Sequence, residues 1–429
     1  MFNQLASRLY NISARVRNPS LAKTYQEFKK SESYSSDEIE SRQLKKIKEL
    51  LVFSNQYSSF YKNHFAAVGF DPHSFNEFSD LKRIPSITKR DLLDNNQEIH
   101  ADFPFKKVRK ALTSGTSGEA LSFMRSEKWD SANRAAVMRG YSWYDVKVSD
   151  KNGYFWGYNI DSRASRKIRI LDSLQNRFRL FHYTDKEISD FCLRMQDATY
   201  LSGYSSMIYK IAKEVNKRGL KFDNIKMIKG TSEMILPKYQ EEVQQAFGVN
   251  MISEYGAAET GLISFECPHG SQHINTDGVY VETDENNEVL ITNLFSHSFP
   301  VIRYRLGDIV TLSEKKCSCG MESPLIGEIV GRKGANVVGK INEYPSLVFY
   351  YVFKNLASEN NYNLNYKAYQ SEVGKVNIYI ESEDNPSIRK AINLHLSNYF
   401  KSDIQFDVNF VEHFTSDKKK QQSFTSYLE

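Results

Sequence analysis

Residues 151–261 alternate between two kinds of pattern, and this alternation constrains the fold more than any other feature of the chain. Short apolar runs read as strands: "KNGYFWGY" (151–158), and "NIKMIKGTSEMI" (224–235) and "NMISEYGAAETG" (250–261), which both run on into loops. Amphipathic stretches lie between them, "DKEISDFCLRMQDA" (185–198) and "PKYQEEVQQAFG" (237–248). Their apolar residues recur at the spacing that lines one face of a helix. The second stretch stops at Gly248, which suits a left-handed C-cap. "TYLSGYSSMIYKIAKEVNKRG" (199–219) reads as a turn feeding another helix. Strands joined through helices return in the same direction, so the pattern predicts α/β layers around a mostly parallel sheet.

The flanks read differently. Residues 1–100 form a largely helical lead-in, with Leu44, Ile47, Leu50, Leu51 and Phe53 at helical spacing. Pro85 ends one segment and Thr88 is placed to cap the next. From 272 to 330 short strands predominate, "GVYVET", "EVLITNL" and "PVIRYRLGDIVTL", which predicts a small β subdomain. Strands and helices resume after "IGEIVGRKGANVV". The expected layout is a large domain over residues 1–332 and a small mobile α+β lid over 333–429, meeting at Arg332–Lys333.

Composition excludes several classes. With 40% apolar and 25% charged residues in 429, the chain is globular and long enough for two or three domains. The net charge of +5 is spread along the chain, unlike the concentrated basic face of a nucleic-acid binder, so no nucleic-acid partner is expected. No run approaches the roughly 18 apolar residues of a membrane helix. "MFNQLASRLYNISARVR" has neither a continuous apolar core nor a small-residue cleavage site, so it does not read as a secretion signal. Its Leu5, Leu9, Ile12 and Val16 share a helical spacing with arginines between, which suits either a helix docked on the core or peripheral contact with a membrane. The few cysteines fit a reduced, cytoplasmic setting.

"LTSGTSGEAL" (112–121) cannot pack a core. Gly115 and Gly118 permit backbone that other residues avoid, and consecutive amides in such a turn form an anion-binding concavity. Thr113, Ser114, Thr116 and Ser117 add hydroxyl donors, so phosphate binding is chemically natural. The loop is not a Walker A motif, because Glu119 rather than Lys follows Gly118.

Three stretches follow this loop in order: "SEYGAAETG" (253–261), "YRLGD" (304–308) and "GRKG" (331–334). The series resembles the adenylate-forming enzymes, in which a Ser/Thr/Gly loop, a Y-G-x-x-E element, an R-x-G-D element and a G-R hinge recur in that order. "LKRIPSITKRDLLDN" (81–95), "FECPHGSQHINTD" (265–277) and "FPVIRYRLGD" (299–308) resemble the phenylacetate–CoA ligase-like branch and its CapK-type capsular-polysaccharide members. The likeness spans roughly residues 40–425.

The resemblance implies roles. Thr113, Ser114, Gly115, Thr116, Ser117 and Gly118 would hold the β- and γ-phosphates of ATP. Glu254, Tyr255 and Gly256 would line the nucleotide, with Tyr255 stacked on adenine, and Glu259 would bind Mg2+. Asp308 would accept both ribose hydroxyls, with Arg305 or Arg332 on the phosphate or ribose side. Gly230, Thr231, Ser232 and Glu233 would line the nucleotide and the acid substrate, and the 200–260 region offers Tyr204, Tyr209, Phe247 and Tyr255 for an aromatic or apolar acid pocket. The lid's catalytic Lys would be Lys419, on aligning Thr415 with the Thr of the family's T-x-x-G-K, Lys418 standing for the Gly. Gly334 stands where the family often has an Asp in the hinge.

Two groups of soft ligands complete the reading. Cys267, His269 and His273 precede Cys317 and Cys319, and such groups can fold over one closed tetrahedral Zn2+ using either histidine. The implied activity is ATP-dependent formation of an acyl-adenylate and transfer of the acyl group to a thiol such as CoA. A second reading transfers it to an amine or hydroxyl of a nucleotide-sugar or amino sugar, and a third is a non-catalytic nucleotide-binding scaffold.

Overall fold

The computed structural model describes residues 2–113, 121–155, 168–173, 175–180, 185–332, 336–346, 348–362, 364–412, 414 and 424–428. The lead-in is helical, over Phe2–Arg17, Leu21–Lys30, Ser36–Tyr57 and Ser59–Ala66, then Lys89–Asp94 and Asn96–Ile99. Thr88 caps Lys89–Asp94 through a reciprocal capping box with Asp91. Strands β1 (Val108–Leu112) and β2 (Ser122–Ser126) then form an antiparallel hairpin.

The main sheet is built from β3 (Asn152–Phe155), β4 (Arg177–Arg179), β5 (Tyr200–Tyr204), β6 (Met227–Thr231), β7 (Met251–Ala257), β8 (Gly261–Glu266), β9 (Gln272–Ile274), β10 (Val279–Thr283), β11 (Glu288–Asn293), β12 (Tyr304–Ser313) and β13 (Leu325–Arg332). Its order is β10-β11-β12-β13-β9-β8-β7-β6-β5-β3-β4. From β4 to β7 neighbouring strands run parallel, and from β7 to β10 they run antiparallel.

The α/β class therefore holds, with two corrections. The sheet is partly, not mostly, parallel, and the strands after 272 extend this same sheet rather than standing apart as a subdomain. Residues 200–204 are a strand and not a turn: β5 is buried along its whole length, and its two tyrosines, Ser and Gly hide the apolar signature of a central strand. Gly248 does terminate Pro237–Phe247 in the left-handed conformation.

Separate cores lie on the sheet. Helices Ser205–Lys217 and Pro237–Phe247 cover one face of the parallel half, burying Ile208, Ile211, Val215, Val243 and Phe247. Helix Glu127–Ser142 covers the other with Ala132, Ala135 and Ala136. The lead-in packs Ile47, Leu50 and Tyr61 against the antiparallel half. Beyond β14 (Asn336–Val338) and β15 (Glu343–Pro345) lies a small α+β unit with its own core. There β16 (Asn365–Glu372), β17 (Lys375–Glu381), β18 (Gln405–Val411) and β19 (Phe424–Ser426) form a sheet in the order β18-β17-β16-β19, with helices Val348–Asn360 and Pro386–Phe400 packed on it. Among the described residues no helix is long and apolar enough to cross a membrane.

Candidate active site

In sequence the glycine loop falls between β1 and β2. Ser114, Gly115, Thr116, Ser117 and Gly118 lie outside the described residues, but the loop's base is defined. The Thr113 amide donates to the Leu121 carbonyl at 2.9 Å, and the Leu121 amide donates to the Thr113 hydroxyl at 2.9 Å. Thr113 is thus the clasp of the loop.

The hairpin is tied to the Y-G-x-x-E turn by a residue that sequence reading passed over. Arg125, on β2, donates from Nη2 to the Ala258 carbonyl at 2.6 Å and lies 3.6 Å from Asp130. Burial lowers its pKa, while the Asp130 and Glu259 carboxylates oppose that. An arginine seven positions beyond Gly118 carries no local signature, and only the docking of hairpin on sheet reveals it.

Glu259 follows in that turn, buried, with its Oε1 accepting from the Tyr304 hydroxyl at 3.0 Å. The Tyr255 hydroxyl donates to Asp308 Oδ2 at 2.8 Å. The end of β7, the turn after it and the middle of β12 therefore meet side by side. The backbone is tight here: a Cβ on Gly256 would stand 2.4 Å from the Gly261 carbonyl oxygen, so only glycine fits. Arg332 is the β13 register partner of Asp308, and its side chain lies outside the described residues, as does Lys419.

Several expected site residues are engaged elsewhere. Arg305 pairs with Asp284 at 2.6 Å and Glu288 at 3.0 Å and donates to Ser86, because strand alternation turns it away from its neighbour Tyr304. Glu233 accepts from the Ser206 amide at 2.9 Å, capping the start of Ser205–Lys217. Tyr204, Tyr209 and Phe247 are buried against the helix-covered core, where Tyr209 stacks on Tyr239, while Tyr204 stands in register with Thr231 at the strand ends. Gly230 is required by packing, since a Cβ there would meet Ser205 Oγ at 2.5 Å. Ser232 sits at a φ of 66°, an uncommon conformation outside glycine that sharply turns the chain after β6. Glu254 turns to Lys229 at 2.6 Å and to Thr231 at 3.4 Å, rather than toward Tyr255's partner Asp308.

At the far side of β8, Cys267, His273, Cys317 and Cys319 place their donor atoms within 4.8 Å of one another. Cys267 and Cys317 are 3.6 Å apart at sulfur, and Cys319 Sγ is 3.3 Å from His273 Nε2. Tetrahedral ligands at zinc distances are about 3.5–3.8 Å from each other, so the donor set fits that ion. The Ser323 hydroxyl, 2.7 Å from His273 Nδ1, fixes the ring, and burial lowers its pKa to about 4, leaving the imidazole neutral. His269 does not join the cluster. It is exposed and bonds Ser318 at 3.0 Å.

No protein-family model matches the chain. It is 22% identical to the phenylacetate–coenzyme A ligase of Thermus thermophilus, over 74% of this chain and 76% of that protein. It is 21% identical to protein CapK of Staphylococcus aureus, over 78% of this chain and 77% of that protein. The chain is thus similar along most of its length to phenylacetate–CoA ligases and to CapK. The fold agrees: a solved 2-hydroxyisobutyryl-CoA ligase superposes with a TM-score of 0.73, covering 92% of this chain and 91% of that one at 14% identity. In this chain the pairs Tyr255–Asp308 and Glu259–Tyr304 stand at the junction of the sheet's two halves.

Proposed function

We propose that the protein activates a carboxylic acid with ATP as an acyl-adenylate and passes the acyl group to the thiol of CoA. The observation that carries this is the meeting of Tyr255 and Asp308 at 2.8 Å, with Glu259 on the adjoining turn and strand β2 of the hairpin tied to that turn through Arg125. In this reading a carboxylate oxygen of the acid attacks the α-phosphorus of ATP and pyrophosphate leaves. The thiol then attacks the acyl carbon, AMP leaves and the thiol proton goes to solvent. Asp308, positioned by Tyr255, accepts the ribose hydroxyls. The 113–119 loop cradles the departing phosphates. Glu259 offers a single buried carboxylate, a donor suited to Mg2+ that also binds substrate phosphates. Bound there, the ion offsets repulsion between the two anionic reactants. Lys419, from the C-terminal residues, serves the developing charge on the α-phosphate. The boundary at 332–333 separates the body from the lid.

The test is ATP–pyrophosphate exchange dependent on added carboxylic acids, followed by product analysis with CoA and with an amino sugar. Exchange without any acyl transfer to CoA, but with transfer to the sugar, would move the chain to the second acceptor class. Absence of exchange with every acid would leave a nucleotide-binding scaffold. A Lys419→Ala variant with full exchange would remove that lysine's role.

Two further parts of the reading rest on their own observations. Cys267, His273, Cys317 and Cys319 form a structural zinc site, supported by their mutual distances; four protein ligands leave no position for catalysis. Helix Phe2–Arg17 contacts a membrane surface peripherally, supported by the exposure of Ile12 (59%) and Val16 (73%) on one face beside Arg8 and Arg15. Sedimentation with anionic vesicles, lost in Ile12→Asp/Val16→Asp, tests it.

A further inference from the structure

The two faces of the parallel half differ in chemistry. On the face covered by Ser205–Lys217 and Pro237–Phe247, the strands present Phe155, Leu201, Ile228 and Met251. On the opposite face Tyr154, Ser202 and Lys229 stand in register across β3, β5 and β6, and Thr231 is paired with Glu254 across β6 and β7. Register partners share a face. Toward the starts of these strands that face is apolar, with Met227 and Ile252 packed on helix Glu127–Ser142. Toward their ends it becomes polar and charged.

The polar end is a connected cluster. Lys229 is 7% exposed, and its ammonium lies 2.6 Å from Glu254 and 5.4 Å from the centre of the Tyr141 ring. Tyr141 is buried there and packs edge-on against Tyr200, 5.2 Å between ring centres. The guanidinium groups of Arg177 and Arg179 lie 4.2 Å and 4.6 Å from the Tyr154 ring centre, and Arg179 is held by Asp172 at 2.8 Å. Tyr154, Thr231 and Glu254 are only half-buried, so the cluster reaches solvent at the strand ends. The carboxyl ends of parallel strands are where α/β sheets bind ligands. Glu254 also adjoins Tyr255, the partner of Asp308.

We propose that the acid activated by this protein carries hydroxyl or amino groups near its carboxylate, and that Lys229, Glu254, Thr231 and Tyr154 select it. The inference rests on the adenylation reading and names the substrate class of that same site. The side chains supply ammonium, phenol and hydroxyl donors together with a carboxylate acceptor. An aryl or alkyl acid seated there would strip water from the half-buried Glu254, Thr231 and arginine-flanked Tyr154 and return no hydrogen bond. A site built to bond a hydroxyl or amino group rejects the analogue lacking it far more strongly than an apolar pocket rejects an extra methylene.

The experiment is acid-dependent pyrophosphate release from ATP by the full chain, with a 2-hydroxy acid, a 2-amino acid, an alkanoate of equal length and phenylacetate. The variants are Lys229→Met and the double change Lys229→Met/Glu254→Gln, which leaves no unpaired charge if the single change does not fold. A kcat/KM at least about 100-fold higher for a hydroxy or amino acid is expected, the two acids telling the groups apart. That preference should fall at least about tenfold in either variant. Preference for phenylacetate or the alkanoate would overturn the inference and leave adenylation standing. An unaltered polar preference in the folded double variant would also overturn it. No pyrophosphate release with any acid would overturn the adenylation reading itself.

Discussion

Tyr255 donates its phenol hydrogen to Asp308 at 2.8 Å, joining β7 to β12 across 53 residues of sequence. The bond helps to orient a buried carboxylate. Tyr255→Phe removes a hydrogen bond to a charged group, worth about 1.5–3 kcal/mol, so the KM for ATP in the exchange assay should rise about 10- to 100-fold. Asp308→Ala should cost more than Tyr255→Phe. An unchanged KM for ATP in both would separate this pair from the nucleotide.

Arg125 couples the hairpin to the turn holding Glu259 through its 2.6 Å bond to the Ala258 carbonyl. Arg125→Met should lower kcat for exchange at least about tenfold, the scale of one lost charge-assisted bond. Arg125→Lys should recover part of the loss, a rescue that simple unfolding would not allow.

Gly256→Ala places a methyl 2.4 Å from the Gly261 carbonyl oxygen. The turn must open, at a cost of about 1–3 kcal/mol typical of overpacking. Both the urea midpoint and the exchange rate should fall, whereas Gly270→Ala, far less crowded, should strain only its own turn and spare exchange.

Purified protein should carry about one zinc per chain. Cys317→Ser or Cys319→Ser should lose the metal and lower the thermal midpoint. His269→Ala should keep it, because His273 occupies the cluster. Elemental analysis and calorimetry read both.

Arg139 binds Asp277 at 2.8 Å and Asn275 at 2.8 Å beneath the helical lead-in, and Ser31 also bonds Asp277. Asp277→Ala would strand a buried guanidinium, destabilising the fold by about 3–5 kcal/mol. Denaturant unfolding should show this loss.

The sequence alone determined the local vocabulary. Alternating patterns specified strands and helices, Thr88 and Gly248 marked helix ends, and the ordered motifs placed Tyr255, Glu259 and Asp308 among the functional candidates. It also supplied the cysteines of the soft-ligand cluster. These features are legible because periodicity, capping and residue chemistry act within a few neighbouring positions.

Only the tertiary structure decided direction and partnership. Pairing of His273 with Leu325 brings that histidine, not His269, to the cysteines. Alternation along β12 turns Arg305 toward Asp284 and Glu288 while Tyr304 faces Glu259. β5, with few aliphatic residues, became a central strand because both of its faces are covered, and Lys229 emerged as a site candidate because Glu254 meets it from the next strand. In each case the deciding contact joins residues distant in sequence, and a side chain's face and partner are set by strand register and packing, which no local pattern encodes.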